Sequence, residues 1–141
     1  MPDRFGLPEK NVRRILNWVH ILQTSIMFVL GALLVSVPRS RFGHSYDLLL
    51  AIPGGPRIIG AAYLAIACAM VLAIDGSRTH LMGLALTAGG INNWTFGAFL
   101  LGGAVTGPTG ALGAPFCFYL GAHMLLQSIL FNAENKKPRA Q

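Results

Sequence analysis

From Thr79 to Ala133 the chain carries no Asp, Glu, Lys or Arg, and the same holds from Ile15 to Pro38 and from Ile58 to Ile74. Runs of that length leave few ways to fold. A soluble domain needs charge to wet its surface, typically on about a quarter of its residues. Here 11% of 141 residues are charged and 53% are hydrophobic. A bilayer asks instead for ~20 mainly apolar residues per crossing. The sequence therefore reads as an all-α integral membrane protein.

Four crossings are expected. Residues 15–37 would cover about 34 Å as a helix, enough for a tilted span. Residues 57–74 begin after the breaker Pro53-Gly54-Gly55-Pro56 and stop at Asp75-Gly76. Residues 80–105 and 111–131 form the third and fourth spans. The links DGSRT (75–79) and TGPTG (106–110) are short and rich in turn formers, so neighbouring helices must run antiparallel. Residues 1–141 thus make one membrane domain, four transmembrane helices in an up-down bundle, with basic tails at 1–14 and 132–141. The first span is expected to stay in place and act as its own insertion signal. The one long connection, 38–56, contains YDLLLAI (46–52), too short to cross; it is expected at the interface or folded over the bundle mouth.

Orientation follows from Lys and Arg. Arg4, Lys10, Arg13 and Arg14, Arg78 in the second link, and Lys136, Lys137 and Arg139 fall on one side, against Arg39, Arg41 and Arg57 on the other. Both termini are expected in the cytoplasm of a cell whose inner (cytoplasmic) membrane holds the protein as a multi-pass chain. The net charge of +6 belongs to this bias and to attraction between the basic tails and anionic lipid headgroups. No basic aromatic patch lies outside the spans, so no nucleic-acid partner is expected.

Polar residues within spans are expensive in lipid and tend to face partners or water. Asn17, His20 and Gln23 recur at helical spacing in the first span, with Thr24 beside Gln23, and Tyr119, His123 and Gln127 do so in the fourth. Depth counted at 1.5 Å per residue puts both stripes in the cytoplasmic half as a single polar layer. Two histidines at overlapping depth could ligate a b-type haem from opposite helices. They could equally hydrogen-bond neighbouring amides and hydroxyls and hold helices together, and nothing small flanks His20 as Gly121 flanks His123. The expectation is helix cohesion, no cofactor and no metal, with haem b through His20 and His123 as the alternative.

Enzymatic chemistry finds no support. The five acids, Asp3, Glu9, Asp47, Asp75 and Glu134, all lie in loops, tails or helix ends, whereas ion-coupled transport usually keeps a carboxylate within the membrane. No Ser-His pair in a recognisable motif, intramembrane aspartate pair or HExxH is present. Cys68 and Cys117 differ in expected depth and read as packing residues.

Asn92 and Asn93 sit side by side in the third span, which needs an explanation. Ala85, Gly89, Asn93 and Gly97 repeat every four residues, as do Gly90, Trp94, Ala98 and Gly102, and Ala61, Ala65, Ala69 and Ala73 in the second span. Small faces let helix backbones approach closely, and an Asn on such a face can hydrogen-bond across the contact. Asn92 lies ~100° around the helix from Asn93, so the pair could serve two contacts. Either the small faces close one bundle or they join copies into a homo-oligomer.

A small chain with four spans, no catalytic motif, cytoplasmic termini and the short basic tail NAENKKPRAQ (132–141) resembles a phage holin. The resemblance is one of topology across the whole chain. It implies a non-enzymatic protein that accumulates in the cytoplasmic membrane, self-associates through helix faces and opens lesions for host cell lysis. The alternative expectation is a small four-helix membrane protein that binds haem, quinone or lipid, or serves as an accessory subunit of a larger membrane complex.

Overall fold

A computed structural model of the chain describes residues 9–74, 79–106 and 113–135, and the side chains of 14–74, 80–103 and 113–132. Its main elements are α1 (Glu9–Ser36), α2 (Asp47–Ala51), α3 (Gly55–Ala73), α4 (Thr79–Thr106) and α5 (Gly113–Asn135). Short 3-10 turns occupy Arg39–Arg41 and His44–Tyr46. Among the described residues there is no strand. Residues 1–8 and 136–141 of the expected basic tails and most of both short links lie outside the described residues.

Three helices are long and apolar enough to cross a membrane, over Arg14–Ser36, Gly55–Ala73 and Gly113–Asn132. The expected third span, α4, has 28 residues but does not join this set, because the polar stretch from Asn92 to Thr95 dilutes its apolar character. It packs against α5, α3 and the 38–56 connection.

The chain enters α3 through Gly54, whose φ of 71° is left-handed and suits glycine. Pro56 then sits in the first turn, where its missing N–H costs nothing. The closest pairings are α4 with α5 and α1 with α3, followed by α3 with α4; α1 and α5 are not close neighbours along their backbones.

Two glycine crossings set those approaches. A Cβ on Gly31 would lie 2.9 Å from the Gly60 carbonyl oxygen, and one on Gly60 would lie 2.9 Å from that of Gly31. On the other side of the bundle, a Cβ on Gly121 would lie 2.8 Å from the Gly90 oxygen and one on Gly90 3.0 Å from the Gly121 oxygen. Both distances are too short for a side chain, so glycine is required at each crossing. Met27, Tyr63, Met70, Leu86 and Met124 are fully buried between the helices.

The 38–56 connection folds over one end of the bundle, one of the two placements the sequence allowed. Gly103 on α4 abuts the backbone of Ser45, and Gly102 meets the side chain of Leu48. Leu49 is buried, Tyr46 packs with tilted rings between Phe42 and Phe96, centres 4.9 and 6.0 Å apart, and Arg39 Nη2 donates to the Leu50 carbonyl. Burial pushes the Tyr46 phenol above its usual pKa.

Candidate functional site

Asn93 is fully buried at the point where all four long helices meet. Tyr63 on α3 donates its hydroxyl to Asn93 Oδ1 at 2.9 Å. Asn93 Nδ2 donates to the Gly89 carbonyl of its own helix at 2.9 Å. The same nitrogen faces the thioether sulfurs of Met124 on α5 at 3.6 Å and Met27 on α1 at 3.9 Å, which are weak acceptors. The amide is met from within the chain.

The rest of the Asn93 face is filled in the same way. Ala85 is buried, and so are Gly89 and Gly97. Gly89 is covered by the methyl end of Met124, and a Cβ on Gly97 would lie 3.1 Å from Cys117 Cβ. These four residues pack helices of one copy, which leaves that face no surface for a second. On α3, by contrast, Ala61 and Ala65 are exposed, Ala69 is half-buried and Ala73 is buried, so the stripe drawn through them starts on the surface and turns into the core along the helix. Asn92 is half-buried, and its buried Nδ2 has no hydrogen-bond partner.

The expected polar layer is divided by the fold. Gln23 Nε2 donates to His123 Nδ1 at 3.0 Å and so ties α1 to α5. His20 is 8% exposed, and its ring makes no hydrogen bond among the described residues. Tyr119 is 72% exposed and stacks on His123 with ring centres 6.3 Å apart. Asn17 is exposed. The buried Oε1 atoms of Gln23 and Gln127 have no donor. Gln23 and His123 are thus brought together, while Asn17 and Tyr119 turn outward.

Two further polar contacts escaped the sequence reading. Thr87 and Ser128 hydroxyls lie 2.7 Å apart, and each reaches the Gly83 carbonyl at 3.0 Å. Asn132 Nδ2 donates onward to Ser128 at 3.4 Å. Trp94 Nε1 donates to the Phe118 carbonyl at 3.1 Å, its ring edge-on to Phe118. Thr87, Ser128 and Asn132 belong to no repeat or motif that marks them in the sequence, and Trp94 stood out only as a member of the Gly90–Gly102 repeat. Among the described residues no cluster of three or more His, Cys, Asp or Glu could hold a metal.

On the outer side of α1 and α3 an apolar groove of about 720 Å3 opens, lined by Phe28 and Val29 on α1 and by Cys68, Val71 and Leu72 on α3. Cys68 is exposed and Cys117 buried, both as free thiols. Set against known proteins, the chain matches no family model, no curated protein and no solved structure.

Proposed function

We propose that this chain is a non-enzymatic, four-span membrane protein with both termini in the cytoplasm, which works by associating with copies of itself in the bilayer, as a holin does. The fourth crossing is α4, whose Asn93 amide is carried across because other helices of the same chain enclose it. The observation that carries the reading is the outer face of α3. Ala61, Ala65, Cys68 and Leu72 follow i, i+4, i+7 and i+11 spacing and so share one helical face. Its first three residues are exposed and small, and its last two open into the apolar groove beside α1. Small residues next to a groove are the surface on which a helix of a second copy can seat closely.

Cys68 is a native reporter for that contact. Oxidative crosslinking in membranes of a Cys117→Ser variant should give a dimer through Cys68, and Ala65→Leu should reduce it. Expression with an endolysin should bring lysis at a set time, delayed by the same substitution at equal membrane levels. A chain that stays monomeric and causes no lesion would sink the proposal.

A further inference from the structure

At the end of the bundle capped by residues 38–56, a cavity of about 160 Å3 opens between the end of α1 and the start of α3. Its floor is apolar, made by Leu34, Val37 and Phe42, and its rim carries Arg39 and Arg57. Two guanidinium groups on one small cavity repel each other unless an anion joins them. Among the described residues no acid lines the cavity, and Asp47 pairs with the His44 ring at 3.3 Å instead.

The two arginines are differently placed. Arg39 is oriented by its bond to the Leu50 carbonyl. Arg57 makes no hydrogen bond or ion pair among the described residues, so its fork of five N–H donors is free for a tetrahedral oxyanion. Positive potential from the first turn of α3, which has no side-chain cap, adds to theirs.

We infer that this cavity holds the phosphate of a phospholipid headgroup. Arg39 and Arg57 take the phosphate oxygens, and Leu34, Val37 and Phe42 take the glycerol and first methylenes. The apolar floor matches an amphiphile better than a free ion. The cavity also lies where the two helices around it, each long enough to cross a membrane, reach the headgroup level. The inference rests on α1 and α3 crossing the bilayer and is independent of association between copies.

The test uses the full chain in a neutral detergent, with its melting midpoint followed as dioctanoyl phosphatidylglycerol is added. Wild type should show a saturable rise. Arg57→Gln should need about fivefold more lipid for half-saturation, and Arg57→Lys less than that. Arg41→Gln, whose side chain is outside the cavity, should titrate as wild type. Two control ligands run beside it: dioctanoylglycerol, which lacks the phosphate, and inorganic phosphate. The site is overturned if Arg57→Gln titrates like wild type or if dioctanoylglycerol saturates at the same concentration as the phospholipid. Inorganic phosphate saturating as readily as the lipid would overturn the lipid as the source. Cys68 crosslinking unchanged by Arg57→Gln separates this site from the self-association reading.

Discussion

Tyr63 and Asn93, thirty positions apart in the sequence, share a 2.9 Å hydrogen bond between two fully buried side chains. Removing either partner strands the other in an interior with no water to replace it. Tyr63→Phe and Asn93→Leu should each lower stability in detergent by about 0.6–2 kcal/mol. The double variant should cost less than the two singles together, because the second change removes the group the first left unpaired. Additive losses in thermal unfolding would mean that the two side chains do not meet.

Glycine crossings predict a graded response to a single methyl group. Gly60→Ala and Gly121→Ala each place a Cβ against backbone oxygen at 2.9 and 2.8 Å, and should cost about 1–3 kcal/mol as overpacking. Gly43→Ala meets nothing within 4 Å and has an ordinary φ of −81°, so it should be neutral. Equal melting points for Gly43→Ala and Gly60→Ala would contradict the α1–α3 approach.

The Gln23–His123 bond is the tie between α1 and α5. Gln23→Leu and His123→Leu should show a coupling of about 0.6–1.7 kcal/mol in a double-mutant cycle. Because His20 and His123 are read as holding helices together, the purified protein should show no haem Soret absorption. A stoichiometric band lost on His20→Ala or His123→Ala would instead assign the layer to a redox cofactor.

Topology can be read with reporter fusions. Fusions at Gln141 and within residues 75–78 should report cytoplasm, and one near Ser45 the opposite side. A cytoplasmic signal at Ser45 would overturn the four-span arrangement, α4 included.

The helices themselves were legible because charge-free runs and glycine-rich breaks mark their ends. The expected spans 57–74 and 80–105 differ from α3 and α4 by one or two residues at each end. α1 starts six residues before the expected 15, since a helix can continue past the apolar stretch into charged sequence. Neighbour choice was not legible. Four-residue periodicity drew the small face of α3 through Ala61 and Ala65, but the packed face runs through Gly60, Tyr63 and Ala67, rotated by about one residue's turn. Gly31 stands alone in α1 without a small partner four residues away, so no repeat announced its crossing. Asn93 was conspicuous as an amide; Met27 and Met124, which meet it, looked like any apolar residue until the helices were assembled.

Because the close pairings run α1 to α3, α3 to α4 and α4 to α5, the molecule is two leaves bound along an α3–α4 spine. Each leaf is stitched by its own pair of glycines. The fore-edge, between α1 and α5, is fastened among the described residues by one Gln–His hydrogen bond and by two methionines reaching toward Asn93. Parting the leaves there breaks the fewest contacts, leaves both glycine seams intact and separates Gln23 from His123.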